Sequence, residues 1–121
     1  MLSDREIHTL VRQFYGEVRR DPELAPIFER HIKDWPSHLA RMDDFWSSVA
    51  NTSGRYKGHP MMAHMKLNEL EHRHFTRWLD LFRYTARNVL TAEGAAHVVT
   101  RAERIAESFK LGLEFYRNSS P

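Results

Sequence analysis

Of the eight histidines in this chain, His64 has the most unusual setting. It follows the breaker-rich stretch from Asn51 to Pro60 and sits in the short apolar run Met61-Met62-Ala63-His64-Met65. A helix of a turn or two, launched by Pro60, is a poor brace, because so few residues cannot sustain a helix on propensity alone. It is a good way to hold one imidazole over a cavity. Tyr15 and His38 sit on or beside the apolar faces of other predicted helices, and Trp78 does the same on a third. Four such side chains converging on one core suggest a buried ligand. Taken singly, each has a plainer reading. A lone histidine in apolar surroundings is more often a satisfied core residue than a ligand. A buried tyrosine hydroxyl can bond a backbone carbonyl, and an indole N–H in a core donates but cannot accept.

The other histidines argue against a conventional metal centre. His8, His31, His72, His74 and His97 sit among charged residues or on polar faces and read as solvated. His72 and His74 are two apart, so on a helix they point to different sides and chelate poorly. No two histidines are spaced i, i+4, and no His-Glu-x-x-His occurs, which removes the zinc-hydrolase pattern. The absence of cysteine removes disulfides, thiolate zinc sites, iron–sulfur ligation and cysteine nucleophiles together.

The elements that must position these residues are helical throughout. Ser3 with Glu6 reads as a capping box, and Ile7, Leu10, Val11, Phe14, Tyr15 and Val18 then recur at three and four along one face. Asp21-Pro22 ends that helix and opens a short one carrying Leu24, Ile27 and Phe28. A second long helix begins near Asp34-Trp35-Pro36, with Leu39, Met42, Phe45, Trp46 and Val49 as its stripe. A polar, glycine-punctuated loop runs from about Asn51 to His59. A third long helix spans about Glu71 to Leu90, with Phe75, Trp78, Leu79, Phe82, Ala86, Val89 and Leu90 on one side. Thr91 caps the last helix, which carries Val98, Val99, Ala102, Ile105, Ala106, Phe109 and Leu113; residues 117–121 read as a frayed tail. No segment shows strand alternation, so the class is all-α: four substantial helices with short ones inserted where breakers concentrate.

Length and composition bound the rest. With 121 residues, 41% of them hydrophobic, the chain makes one domain, 1–121, with a sizeable core. Eighteen basic against sixteen acidic residues, spread along the chain, do not make a nucleic-acid-binding stripe. No apolar run reaches the roughly 18 residues that span a bilayer. The opening Met-Leu-Ser-Asp-Arg-Glu reads as a helix start. The expectation is a cytoplasmic monomer without nucleic-acid or membrane partners.

Several short motifs recur together. Phe14-Tyr15-x-x-Val18-Arg19, Pro26-Ile27-Phe28, His38 with Phe45-Trp46, Tyr56-x-Gly58-x-Pro60-x-x-x-His64 and Trp78-Leu79-x-Leu81-Phe82 occur in the order found in truncated haemoglobins. Each is weak alone; five in register over residues 5 to 116 are strong. The chain most resembles the group III (P-type) branch, because the glycine pairs that mark other branches are absent: its five glycines include no adjacent two. The resemblance implies a truncated globin, a two-over-two helical sandwich with short inserted helices and haem b (iron protoporphyrin IX) between the helix pairs. His64 matches the proximal iron ligand, Tyr15 and His38 the distal tyrosine and histidine, and Trp78 the tryptophan that closes the distal site. The compact connection from Glu29 to Trp35 departs from the pattern and bears on where His38 falls.

Further expectations follow from that resemblance and the face patterns. The haem would contact Phe28, Met42, Phe45, Met65, Phe75, Leu79 and Phe82, and its propionates would meet cations or hydroxyls from Arg41, Arg55, Tyr56 and Lys57. Its partners would be oxygen, carbon monoxide, nitric oxide or peroxide, with a reductase to return the iron to its ferrous state. Donors facing the ligand slow its release, so oxygen delivery ranks below peroxidase-like or nitric-oxide-detoxifying chemistry with Tyr15, His38 and Trp78 as the acting groups. The alternative class is a haem-free helical interaction or DNA-binding module. It calls for an exposed basic recognition helix, and the arginines at 73, 77, 83, 87, 101 and 104 are instead interleaved with glutamates and apolar residues.

Overall fold

The computed structural model describes residues 2–60, 64, 67 and 69–119. Its helices are α1 (Asp4–Val18), α2 (Ala25–His31), α3 (Trp35–Asn51), α4 (His72–Val89) and α5 (Ala92–Ser119). No strand occurs among the described residues. α1 packs on α3 and α4, and α5 packs on α4 and α3, which makes the two-over-two sandwich.

Each boundary has a local cause. Ser3 and Glu6 close a capping box at the start of α1. Asp34 accepts the Ser37 N–H at the start of α3, with Pro36 in the first turn. The Thr91 hydroxyl accepts from the Gly94 N–H and caps α5. α2 begins at a buried carboxylate: Asp21 accepts the N–H groups of Glu23 and Leu24 and takes Arg77 of α4 at 2.7 Å. Burial alone would raise the Asp21 pKa, but Arg77 and the two backbone donors outweigh it and hold the carboxyl below its usual range. At its far end α3 stops at Thr52, whose φ of 52° and ψ of 37° are left-handed, a strained conformation for a β-branched residue. One boundary departs from expectation. α5 continues through Arg117 and Asn118 to Ser119 instead of fraying at 117, and the Arg117 guanidinium donates to the Leu70 carbonyl.

The end of α3 is tied to three other segments. The Asn51 amide exchanges two hydrogen bonds with the Leu2 backbone at 3.1 and 2.7 Å. His97 donates to the Ala50 carbonyl at 2.8 Å and Arg101 to the Val49 carbonyl at 3.1 Å, so α5 satisfies carbonyls that α3 cannot. The Tyr56 N–H returns to the Ser48 hydroxyl at 3.0 Å. His97, expected to be solvated, is half-buried for this reason.

The apolar interior is divided. One cluster gathers Ile7, Leu10, Val11, Phe14, Val18, Trp46, Phe82, Val98 and Ala102 from the four long helices. A smaller one holds Ile27, Leu70, Phe75 and Leu113, with Leu67 and Phe109 against it. What separates them is a cavity.

Candidate functional site

The cavity has a volume of about 260 Å³ and takes its walls from both clusters. On one side stand Tyr15, Phe28, His38, Met42, Phe45, Trp46, Trp78 and Ile105; on the other, Pro60, His64, Leu67, Phe75 and Phe109. Arg41 and Tyr56 also line it.

His64 is held from two directions. Its ring lies 4.7 Å from that of Phe109 and 6.3 Å from that of Phe75, centroid to centroid. Its Nδ1 is 2.6 Å from the Pro60 carbonyl. A carbonyl can only accept, so Nδ1 carries the proton and Nε2 keeps its lone pair. Burial holds the His64 pKa below its usual value, against the smaller upward pull of that carbonyl, so the imidazole is neutral near pH 7. A neutral ring of fixed tautomer on a cavity wall is the form that ligates a metal.

The opposite wall is aromatic with polar tips. The Tyr15 ring meets Phe14, Phe28, Trp35 and His38 at centroid distances between 5.0 and 6.0 Å, all edge-on. Burial pushes the Tyr15 phenol well above its usual pKa, so it keeps its proton and remains a donor. His38 is pushed down to about 4, first by burial and then by the charge of Arg41. Its Nε2 is buried and has no partner, as has the Trp35 indole N–H. Trp78 stacks on Phe82 at 5.7 Å, and Phe82 on Trp46 at 4.5 Å, with interplanar angles of 15° and 18°. That stack makes a rigid floor.

The structure brings together most of the residues that sequence singled out. Tyr15, His38, Trp78, His64, Phe28, Arg41, Met42, Phe45, Tyr56 and Phe75 all line the cavity. Three do not. Phe82, fully buried one helical turn past Trp78, lies behind the wall in the aromatic stack. Leu79, rotated away from Trp78 by one residue, packs into the larger cluster. Lys57 is exposed in the loop beside Tyr56. Arg55, a further rim candidate, is engaged by Asp4 at 3.2 Å. Met65 lies outside the described residues.

Other lining residues were not singled out: Ile27, His31, Ile32, Trp46, Pro60, Leu67, Leu70, His74, Ile105 and Phe109. Ile27, Trp46, Ile105 and Phe109 carried a signal in their helical stripes, which mark a buried face without saying whether it meets protein or ligand. His74 carried none. Flanked by charged residues, it read as solvated, yet it is buried because its ring folds back to accept the Glu71 N–H at 3.0 Å and caps α4. Gly58 explains the Tyr-x-Gly motif. A side chain there would overlap the Tyr56 hydroxyl and ring, so glycine lets the tyrosine fold over the loop and reach the cavity.

A haem fits these observations. The imidazole of His64 presents a lone pair, and His38 presents a buried nitrogen lacking a partner in the protein. Among the described residues no group of three or more His, Cys, Asp or Glu side chains could hold a metal by itself. An iron ligated by His64 would therefore need its remaining ligands from an organic molecule, which a porphyrin supplies.

The comparisons with known proteins agree on one relationship. Residues 3–109 match the family described as bacterial-like globin. The chain is 31% identical over 119 residues to a group 3 truncated haemoglobin (ctb) of Campylobacter jejuni, covering 95% of this chain and 94% of that protein. The crystal structure of a group III truncated haemoglobin from Campylobacter jejuni superposes with a TM-score of 0.88 at 32% identity, covering 93% of this chain and 92% of that one.

Proposed function

The chain belongs to the bacterial-like globin family, and from that premise we propose that it is a haem b protein with His64 as proximal ligand and Tyr15, Trp78 and His38 facing the bound molecule. Family membership carries haem-based binding of small diatomic ligands such as oxygen, which displaces the alternative of a haem-free interaction or DNA-binding module. One observation supports the residue assignment above all: the His64 ring is fixed by the Pro60 carbonyl on one wall, and the polar aromatic tips stand on the other.

Haem held by His64 would supply an iron that binds small molecules and lends them partial negative charge. Tyr15 answers that charge as the first donor, since its phenol stays protonated. Trp78 donates from the floor. His38 is neutral near pH 7, so its ring can donate from Nε2 or, in the other tautomer, accept a proton there. Arg41 and Tyr56 are the cation and hydroxyl placed to meet the propionates. Fixed donors retard ligand escape and polarise an O–O bond, so peroxidase-like or nitric-oxide-detoxifying chemistry ranks above oxygen delivery. Such a cycle calls for a reductase, and the chain acts as a monomer. No helix among the described residues is long and apolar enough to cross a membrane.

The test is replacement of His64 by Gly or Ala in the loaded protein. The variant is expected to lose haem or its five-coordinate, histidine-bound ferrous spectrum. An unaltered histidine-bound spectrum would eliminate His64 as the axial ligand.

A further inference from the structure

The cavity has a second polar corner that the ligand-facing groups leave unused. Leu70, His74 and Phe75 line it where α4 begins, and Ile27, His31 and Ile32 line it from the end of α2. His74 is only 6% exposed. Its Nδ1 accepts the Glu71 N–H, so in the neutral ring the proton sits on Nε2. No atom of the described residues accepts from that N–H. Unlike the ring nitrogens of Trp35 and His38, Nε2 is not sealed off by protein, so it can donate to an occupant. The ring borders the cavity, so the acceptor comes from whatever fills it.

α4 has 18 residues, and its positive end is already met by Glu71, whose side chain closes a capping box with His74. That carboxylate also accepts from Arg73 at 2.9 Å. Arg30 and His31 stand nearby, but both are held by Glu69. The His74 Nε2 N–H is therefore the uncommitted donor of the corner. On the haem reading above, the anionic groups of the occupant are its two carboxylates.

We propose that His74 is a cofactor-binding residue, donating from Nε2 to a propionate of the haem while its Nδ1 caps α4. The two duties separate by substitution. Asparagine places its amide oxygen near the position of Nδ1 and has nothing at Nε2. Glutamine places an amide N–H near Nε2 and loses the cap.

The experiment compares the full chain with His74→Asn and His74→Gln, each loaded with haem or with haem dimethyl ester, which lacks the carboxylates. Two quantities are read: the rate of haem transfer to excess apomyoglobin, and the thermal midpoint of the haem-free chain. His74→Asn is expected to release haem about tenfold faster than the unaltered chain, to release the ester at the unaltered rate, and to keep its midpoint. His74→Gln is expected to retain haem better than His74→Asn while its midpoint falls. Release of natural haem from His74→Asn at the unaltered rate would overturn the assignment. So would equal acceleration for haem and ester, which marks a packing residue. If the unaltered chain takes up no haem and develops no Soret band, the haem reading itself falls and this assignment with it. Uptake with His74→Asn unchanged removes this assignment alone.

Discussion

Replacing Tyr15 by Phe removes one oxygen atom from the cavity wall and leaves the ring where it is. The ring is held edge-on by Phe14, Phe28, Trp35 and His38, none of which touches its position through the hydroxyl alone. The change therefore isolates the donor. A hydrogen bond to a charged acceptor contributes about 1.5–3 kcal/mol. At about 1.4 kcal/mol per decade, that is roughly 10- to 100-fold in the rate at which oxygen leaves. Trp78 and His38 remain to cushion the loss, so the expected effect is at least about tenfold, near the lower end. Stopped-flow displacement of oxygen by excess carbon monoxide reads the rate directly. An unchanged off-rate refutes Tyr15 as principal donor. A second reading checks the premise. Only burial perturbs the phenol, and no described residue bonds it, so the haem-free Tyr15→Phe chain should be as stable as the parent, or more stable by up to about 1 kcal/mol. A clear loss of stability would reveal a protein partner for the hydroxyl.

The remaining predictions concern the frame around the site. Asp21→Ala strips Arg77 and two backbone N–H groups of their acceptor and should cost about 2–3 kcal/mol by denaturant titration, less than a fully buried pair because Arg77 can rehydrate. Because the folded Asp21 pKa is lowered, its contribution is present above the unfolded carboxylate pKa and is lost as pH falls through the folded one. Acid titration of Asp21→Asn should lack that part of the loss. For His38, held at about 4 against an ordinary 6.5, the unfolded chain binds the proton first. Stability of the haem-free chain should therefore fall between those two values by about 1 kcal/mol after discounting for partial exposure, and His38→Gln should flatten the slope. Thr52→Gly relieves a left-handed β-branched residue and should add about 1 kcal/mol in the same denaturant assay; no gain would mean that the Thr52 hydroxyl, bonded to the Asn51 carbonyl at 2.6 Å, offsets the strain.

Sequence carried the helices well because their causes are local. The Ser3–Glu6 box, Asp34 ahead of Pro36 and Thr91 ahead of α5 are short-range devices, and each sits where the chain order puts it. The wall residues on stripes were legible for the same reason: Tyr15 follows Phe14 on one face, and Phe45 follows Met42 on another. Depth was harder to read. Phe82 and Trp78 share a stripe four apart, yet one lines the cavity and the other supports it from behind. Periodicity gives a direction from the helix axis but not a distance from a void. The polar corner was invisible, since His74 is buried through a backfolded cap and His31 reaches the cavity while pairing with Glu69. Both depend on segments that meet only in the folded chain.

The ties at the far end of α3 bear on how a small molecule reaches the interior. Leu2, Tyr56, His97 and Arg101 all grip the last turns of that helix, whereas its opening turn is held by Asp34 and by Trp35 beneath the Arg19 guanidinium. His38 lies thirteen residues from Asn51, about 20 Å along the axis. A tilt of a few degrees about the carboxyl end would move the His38 imidazole by about an ångström, against the hold of Arg12 on Asp43 at 2.6 Å midway along the helix. Such a tilt would open the cavity wall at His38 while leaving in place the turns that bind α5.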